Sequence, residues 1–215
     1  MSAPEVVVID YGVGNLLSVQ RGLEHCGAKV ALTSDPEKIL AASRVVLPGV
    51  GAFGNAMQAL EQLNLVLVIQ ELAYRQISLM GICLGMQLLL DGSEEFGDTA
   101  GLGLIPGRVI PVPAKMTTGE SQKIPHIGWS AMHPPTASAD WKGTVLEDNR
   151  PGDAAYFVHS FMAVPTDSAH CIAECSYGGH KITAAIGRGK ITGCQFHPEK
   201  SGEVGLKILR RFISQ

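Results

Sequence analysis

The stretch Met80-Gly-Ile-Cys-Leu-Gly-Met86 joins a predicted buried strand, Ile77–Ile82, to a predicted helix, Leu84–Leu90. A glycine two residues before Cys83 and another two residues after it would let the chain turn sharply and present the thiol on that turn. The amides at the start of the helix would favour the thiolate form, and the Leu84 amide could donate a hydrogen bond to an oxyanion. Free cysteine is also a common packing residue, so this stretch alone favours a nucleophile only slightly over a buried structural cysteine.

Strand and helix patterns alternate along the chain before this stretch. The β-branched run Glu5–Ile9 is typical of a strand buried on both faces, whereas Asn15–Cys26 has its apolar residues at helical spacing. The other predicted elements are strands at Ala28–Leu32 and Arg44–Leu47 and helices near Asp35-Pro36, at Ala52–Leu63 and at Leu65–Tyr74. Repeated βα units predict an α/β fold with a parallel sheet and helices on both sides of it.

Beyond about Gly101 the pattern changes to short strands separated by proline, glycine and asparagine. The predicted strands are Gly107–Val112, Ala154–Val158, Cys171–Ser176, Lys181–Ile186 and Ile191–Gln195. A last helix is predicted at Gly202–Ile213, with Ser201 as a candidate N-cap, and the polar stretches Met116–Gln122 and Met132–Ala139 are predicted surface loops. With no internal repeat and no long linker, residues 1–215 are expected to form a single domain with an antiparallel, strand-rich second half.

A second motif, Gly193-Cys-Gln-Phe-His-Pro-Glu-Lys200, supplies a candidate base. A thiolate that attacks an acyl group needs a base that later protonates the leaving amine, and histidine suits that role near neutral pH. Pro198 favours an extended conformation at His197, and residues two apart on an extended segment point to the same side, so Glu199 could orient the ring. Alone this motif favours a surface turn. Together with the cysteine turn it favours catalysis.

Two glycine-rich stretches follow predicted strands. Asp10-Tyr-Gly-Val-Gly-Asn15 lacks the third glycine of a dinucleotide-binding loop, which makes that interpretation weak. Leu47-Pro-Gly-Val-Gly-Ala-Phe-Gly54 lacks the Lys-Ser/Thr of a P-loop. It is either a tight βα turn or a mobile backbone that offers an amide to a developing oxyanion.

Composition excludes several classes of function. The formal net charge is −3 and no run of Lys and Arg is present, which argues against a nucleic-acid surface. The longest apolar run, near Leu65–Ile69, is far too short to span a bilayer, and the N-terminal residues lack the pattern of a signal peptide. Five cysteines without a CxxC pair argue against a metal site and predict a reduced, cytoplasmic protein. No motif for a cofactor was identified, and none is expected.

Taken together, these motifs resemble those of the class I (triad) glutamine amidotransferases, and among them the glutaminase subunits of imidazole glycerol phosphate synthases. The broader resemblance rests on Gly81-Ile-Cys-Leu-Gly-Met-Gln87 with the distant His197-Pro-Glu199. The narrower one rests on blocks that run from end to end of the chain, namely Ile9–Val19, Leu47–Gly54, Pro125–Trp129, Tyr156–Ser160 and Phe196–Gly202. The resemblance implies a three-layer αβα fold with a parallel or mixed central sheet.

It also implies roles for individual residues. Cys83 would attack the carboxamide of glutamine, His197 would transfer the proton and Glu199 would orient His197. The implied glutamine-binding residues are Gly49, Val50 and Gly51, whose loop completes an oxyanion hole with Leu84, then Gln87 and Glu95, and the backbone of Ser160 and Phe161 for the α-carboxylate. The residues implied to face a partner are Tyr11, Asn15, Trp129 and Lys200.

The implied partner is a (β/α)₈-barrel cyclase subunit, with which the chain would form a heterodimer and which would use the released ammonia to make imidazole glycerol phosphate and an aminoimidazole carboxamide ribotide. Ser130 stands where the family usually has asparagine, and Phe161 replaces a frequent tyrosine. A paralogous glutaminase that feeds a cyclase-like enzyme amidating a surface-polysaccharide sugar is the alternative. A catalytically dead scaffold would not need all three triad residues, and a cysteine peptidase would have no use for Gln87 and Glu95.

Overall fold

The strands and helices follow one another much as the sequence patterns predict. A computed structural model describes residues 5–136 and 139–215. The helices are α1 (Leu16–His25), α2 (Pro36–Ala41), α3 (Phe53–Gln62), α4 (Leu65–Tyr74), α5 (Leu84–Leu88) and α6 (Gly202–Ser214). The strands are β1 (Glu5–Ile9), β2 (Lys29–Thr33), β3 (Arg44–Gly49), β4 (Ser78–Cys83), β5 (Gly92–Ser93), β6 (Thr99–Ala100), β7 (Gly107–Pro111), β8 (His126–Ala131), β9 (Ala154–His159), β10 (Phe161–Pro165), β11 (Cys171–Tyr177), β12 (His180–Arg188) and β13 (Ile191–Cys194).

A seven-stranded sheet in the order β11-β12-β13-β4-β3-β1-β2 forms the centre of the molecule. Strand β4 pairs in parallel with β3 and β13, and β1 pairs in parallel with β2 and β3. Strands β12 and β11 extend the sheet antiparallel from the β13 edge. The predicted mixed sheet is confirmed, and the end of β4 lies between two parallel neighbours.

Helices cover both faces of this sheet, because successive side chains of a buried strand point to opposite sides. Val6 and Val8 of β1 pack in one apolar cluster with residues of α1 and α6. Val7 and Ile9 pack in a second cluster with residues of α2, α3 and α4. Each fully buried aliphatic side chain contributes roughly 1.5–3 kcal/mol of transfer free energy, so both layers are held firmly against the sheet.

The second half of the chain adds two smaller sheets that the sequence patterns predicted only in part. One has the order β10-β7-β5-β6, and the other is the antiparallel pair of β8 and β9. Strands β5, β6, β8 and β10 were not among the predicted strands. Gly128 interrupts the apolar alternation of β8, and β5 and β6 have only two residues each, too few for a periodic pattern.

Some predicted boundaries were wrong for identifiable reasons. Helix α5 ends at Leu88 rather than Leu90, because the carbonyls of residues 88–90 accept hydrogen bonds from the backbone of residues 102–105. Within the predicted loop Met132–Ala139, Met132 is fully buried and His133 pairs with Glu174 through an isolated β-bridge. The described part of the chain does not include residues 137–138 of that loop. It also does not include residues 1–4, on which the expected absence of a signal peptide was partly based. Within that part, none of the helices is both long and apolar enough to cross a membrane.

Candidate active site

Cys83 sits on the sharp turn between β4 and α5. Its backbone has φ 55° and ψ −111°, a conformation that is strained for a residue with a side chain and that is typical of a nucleophile turn. The flanking glycines are required by close approach of the backbone. A Cβ atom on Gly81 would lie 2.6 Å from the Gly85 oxygen, and one on Gly85 would lie 1.8 Å from the Leu47 oxygen. The glycine spacing that marked this stretch is therefore a packing requirement of the turn.

His197 and Glu199 form the hydrogen-bonded pair that their spacing predicts. The distance from His197 Nδ1 to Glu199 Oε1 is 2.8 Å, and both side chains are buried. The His197 amide donates to the Tyr156 oxygen at 3.0 Å, and Ser201 Oγ donates to the His197 oxygen at 2.6 Å. Ser201 lies at the N-cap position of α6 but makes no capping bond, because its hydroxyl accepts from the Tyr156 amide instead. These bonds fix the backbone that carries His197.

The surroundings of His197 favour its protonated form. Burial by itself lowers the pKa of His197, but hydrogen bonds to Cys83 Sγ and to Glu199, together with electrostatic attraction to both groups, raise it to about 9. Since Nδ1 faces Glu199, Nε2 is the nitrogen left for Cys83. A protonated ring beside a thiol stabilises the thiolate, which is the nucleophilic form.

The other four cysteines are poorly suited to nucleophilic attack. Burial raises the pKa of Cys171 to about 11 and that of both Cys175 and Cys194 to about 12. Burial also raises the pKa of Cys26. These thiols stay neutral near neutral pH, so Cys83 is the cysteine whose position suits nucleophilic attack.

A cleft of about 300 Å³ opens over Cys83. It gathers most of the residues that the sequence analysis assigned to catalysis and substrate binding, namely Val50, Gly51, Cys83, Leu84, Gln87, Glu95, Ser160, Phe161 and His197. Gly49 is not in the lining, because it is the buried last residue of β3 and pairs with Cys83 across the sheet. Pro125, Val158 and His159 line the cleft as well, although sequence reasoning did not single them out.

The polar side chains of the cleft are held by long-range hydrogen bonds. Gln87 Nε2 donates to the Phe161 oxygen and to Gln195 Oε1, each at 3.0 Å. Glu95 Oε2 accepts from the Phe53 amide at 2.6 Å, at the first residue of α3. Gln195 was missed by sequence reasoning, because a glutamine beside a cysteine in a strand pattern carries no signal of its own.

The four predicted partner-facing residues do not share one environment. Trp129 is 58% exposed, and Asn15 and Lys200 are also exposed. Tyr11 is only 3% exposed, and its hydroxyl donates to the Pro48 oxygen at 2.7 Å. The isolated chain therefore gives Tyr11 almost no surface for a partner, and this residue instead holds the strand that leads into the Val50 loop.

This arrangement fits acyl transfer through a thioester. It offers a thiol on a strained turn, an imidazolium beside it, a carboxylate behind the imidazolium and backbone amides at the start of α5. Among residues 5–136 and 139–215, His, Cys, Asp and Glu side chains form no group of three that could hold a metal ion.

Comparisons with known proteins point the same way. The class I glutamine amidotransferase family model matches residues 7–215. The imidazole glycerol phosphate synthase subunit HisH 1 of Legionella pneumophila (strain Lens) is 48% identical over 97% of this chain and 98% of its own length. The HisH subunit of Lactococcus lactis subsp. lactis (strain IL1403) is 43% identical over 98% of each chain.

Solved structures share the fold at much lower identity. PurLQS from Thermotoga maritima matches with a TM-score of 0.72 and 19% identity, over 99% of this chain and 98% of the other. The glutaminase domain of CTPS from Trypanosoma brucei, solved with bound acivicin, matches with a TM-score of 0.64 and 14% identity, over 99% and 94%. At such identities the likeness establishes the three-layer fold and nothing about the substrate.

Proposed function

Because this chain belongs to the class I glutamine amidotransferase family, we propose that its cleft hydrolyses glutamine and that it is the glutaminase subunit of an imidazole glycerol phosphate synthase in histidine biosynthesis. The observation that carries the proposal is the union of a cysteine turn, a His–Glu pair and a polar cleft in one place. Full-length identity to synthase subunits supports the pathway and does not favour a sugar-amidating paralogue.

The chemistry proceeds by nucleophilic displacement at the glutamine carboxamide. The Cys83 thiolate attacks the carbonyl carbon, and the Leu84 amide and an amide of the Gly49-Val50-Gly51 loop stabilise the oxyanion. His197 donates its proton to the leaving nitrogen, and ammonia departs from a glutamyl thioester. The neutral His197 then takes a proton from water, which attacks the thioester and releases glutamate and the thiolate. Glutamine and water are consumed, and glutamate and ammonia are formed.

The rest of the cleft would hold the amino-acid end of glutamine. Glu95 offers a carboxylate to the α-amino group, while Gln87 fixes the backbone at Phe161. The Phe161 amide, with the backbone around Ser160, would receive the α-carboxylate. Discrimination by a site of this kind is strong, since a ligand lacking either charged group leaves a polar group of the site unpaired.

A partner subunit would receive the ammonia. The finer proposal is a (β/α)₈ cyclase that docks as a heterodimer over the exposed Asn15, Trp129 and Lys200. All five cysteines are free thiols, which suits the reducing cytoplasm that we propose as its location.

The test is to measure glutaminase turnover for the free subunit, for the complex with the cyclase and for the complex with its phosphoribulosyl acceptor bound. We expect turnover to rise from each state to the next. The partner can shift the oxyanion loop to its productive conformation if it contacts that conformation more favourably than the resting one. The loaded complex should also form imidazole glycerol phosphate from glutamine. Equal turnover in all three states would contradict partner control, and absence of product would contradict the pathway.

A glycine in place of Val50 should raise turnover of the free subunit. The backbone is fixed up to Gly49, where a Cβ would lie 2.8 Å from the Tyr11 hydroxyl, whereas Val50 is 43% exposed and Gly51 already has φ +94°. A β-branched residue resists the φ > 0 conformations open to glycine, so Val50 would restrain a peptide flip that turns an amide toward the oxyanion. One hydrogen-bond donor of an oxyanion hole is worth roughly a hundredfold in rate, which is the gain expected if Val50 fully prevents the flip. We expect turnover of the free subunit to rise at least several-fold.

The control for Val50→Gly is Val13→Gly. Val13 stands in a second Gly-Val-Gly loop, Gly12-Val13-Gly14, outside the cleft. The Val13→Gly variant shows how a more flexible Gly-Val-Gly loop outside the cleft affects turnover of the free subunit. If the free-subunit rate of Val50→Gly stays at the wild-type value, the restraint on the oxyanion loop lies at another residue.

A further inference from the structure

Two histidines that the triad does not use, His126 and His159, lie buried side by side, and His159 lines the cleft. Their exposed fractions are 1% and 6%, and they sit directly opposite each other on the paired strands β8 and β9. His126 Nδ1 is 3.0 Å from His159 Nε2. The other nitrogen of His159, Nδ1, is 2.8 Å from the Phe161 oxygen, and the other nitrogen of His126, Nε2, is 2.9 Å from Ser130 Oγ.

These contacts have only one consistent direction when both rings are neutral. A carbonyl oxygen can only accept, so His159 Nδ1 carries a proton and donates to the Phe161 oxygen, and His159 Nε2 is left as an acceptor. His126 Nδ1 must then donate to His159, and His126 Nε2 accepts from the Ser130 hydroxyl. The result is a continuous chain of donors from Ser130 to the backbone at Phe161.

The neutral state follows from burial. Burial lowers the pKa of His126 to about 4. Burial also lowers the pKa of His159 to about 4. The hydrogen bond to the Phe161 oxygen opposes this shift, whereas the nearby His126 and His197 add to it. Neither ring therefore carries a charge near neutral pH, and each tautomer is set by its hydrogen-bond partners.

The inner end of the chain fixes the backbone that faces the amino-acid end of the cleft. The Val112 amide donates to the Ser160 oxygen at 2.9 Å, so Val112 and Ser160 stand at a hydrogen-bonded position with the Ser160 carbonyl turned toward β7. Bonded and non-bonded pairs alternate along antiparallel strands, which makes Phe161 and Pro111 a non-bonded pair. The amide and carbonyl of Phe161 therefore both point away from β7, toward the side where His159 and Gln87 hold the Phe161 oxygen.

The outer end of the chain of donors, Ser130, is half-buried on β8. Its neighbour on the same strand, Trp129, is exposed. The His126 ring is stacked between Tyr177 and Phe157, with ring centroids 4.1 Å and 5.1 Å away, so it cannot rotate freely out of the chain. A displacement of β8 would consequently change the hydrogen bond that His159 donates to the Phe161 carbonyl.

We propose that His126 and His159 are positioning residues for glutamine, which hold the carboxylate-binding backbone of Ser160 and Phe161 in place from strand β8. The proposal rests on the proposed function, because it assigns the α-carboxylate of glutamine to that backbone. The pair acts through the Phe161 peptide, and its removal weakens the binding of substrate more than the chemistry at Cys83.

The principal test is His159→Phe in the assembled complex, since phenylalanine keeps the ring and removes both nitrogens. We expect the KM for glutamine to rise about tenfold while kcat stays within about twofold, because Gln87 still holds the Phe161 oxygen. Alkylation of Cys83 by iodoacetamide, which has no α-carboxylate, should keep its wild-type rate within about twofold. An unchanged KM would overturn the proposal. So would alkylation of Cys83 by iodoacetamide that slows as much as turnover of glutamine does.

Ser130 and Tyr177 supply the matched variants. Ser130→Ala removes the outer donor and should raise KM by roughly twofold to threefold, whereas Ser130→Asn keeps a donor and should restore the wild-type KM. Tyr177→Phe removes a hydroxyl that donates to the Lys123 oxygen but keeps the ring stacked on His126, so its KM should stay at the wild-type value. Identical KM values for Ser130→Ala and Ser130→Asn would contradict a role for the hydrogen-bond chain.

A measurement on the unmodified protein keeps the proposal testable even where a variant does not fold. Long-range ¹H–¹⁵N correlation spectra should show both His126 and His159 as neutral rings protonated at Nδ1, with no protonation step near neutral pH. Rings protonated at Nε2 would overturn the chain of donors. If the wild-type complex hydrolyses no glutamine, the proposed function fails, whereas an active complex whose KM ignores His159→Phe rejects only the positioning role.

Discussion

Replacing Cys83 with alanine is expected to abolish glutamine-dependent synthesis by the complex while synthesis from added ammonium salts continues. In the proposed mechanism the thiol carries the acyl intermediate, and it stands on the turn between β4 and α5 within hydrogen-bonding reach of His197. Loss of a covalent nucleophile typically costs a factor of roughly 10⁴ to 10⁶ in turnover. Ammonia supplied from solution bypasses the glutaminase, so the cyclase reaction should persist. The measurement is the rate of imidazole glycerol phosphate formation with glutamine and with ammonium chloride.

Cys194→Ala is the matched control for this variant. Cys194 lies opposite Ile82 on the neighbouring strand β13, and it is buried with a pKa raised to about 12. Its loss should leave the glutamine-dependent rate near the wild-type value. A glutamine-like electrophile should label Cys83 ahead of Cys26, Cys171, Cys175 and Cys194 in peptide mass mapping. Glutaminase turnover that survives in Cys83→Ala would show that the nucleophile is misassigned.

The parts of the site that sequence predicts are those set by local geometry. The turn at Cys83 depends on glycines two residues away on either side, because a Cβ atom added at either one would lie within 3 Å of backbone atoms. The bond between His197 and Glu199 depends on an extended segment before a proline, which is again a property of neighbouring residues. Local rules of this kind leave a pattern in the sequence that can be found without a fold.

The parts that sequence reasoning missed depend on contacts between distant segments. Gln87 and Gln195 meet across 108 residues, and Tyr11 reaches Pro48 across 37. His126 and His159 become partners only because β8 pairs with β9, and β8 was not predicted as a strand. A buried polar side chain must find a partner, but its own sequence neighbourhood does not name that partner.

The same distinction applies to Tyr11, whose block in the sequence was assigned to a partner surface. The exposed Asn15 remains a candidate for that surface, but Tyr11 points inward and bonds the strand before the oxyanion loop. Two residues of one motif can therefore have different roles. Asn15 is proposed to face the partner, whereas Tyr11 supports the loop that the partner is proposed to control.

His197→Asn is expected to cost roughly a thousandfold or more in glutaminase turnover, and Glu199→Gln clearly less. Asparagine cannot transfer a proton to the leaving nitrogen, whereas a glutamine at position 199 can still accept a hydrogen bond from His197 Nδ1 through its amide oxygen. What Glu199→Gln removes is charge. We therefore expect a loss of roughly tenfold to a hundredfold for it, measured as kcat in the assembled complex with saturating glutamine. Glu203→Gln is the control, because Glu203 is an exposed carboxylate paired with Arg210 and should be replaceable without effect.

The pH profile separates the loss of charge from a loss of geometry. Burial lowers the pKa of His197, but the hydrogen bonds that the ring makes to Cys83 and Glu199, together with the negative charge of Glu199, help to raise it to about 9. With a neutral glutamine in its place, the ring would lose its proton at a lower pH. The alkaline limb of kcat/KM, where the imidazolium is lost, should consequently move to lower pH in Glu199→Gln and stay in place in Glu203→Gln. A rate loss without any shift of the limb would mean that Glu199 serves only to hold the ring, and a greater loss for Glu199→Gln than for His197→Asn would reverse the assigned roles.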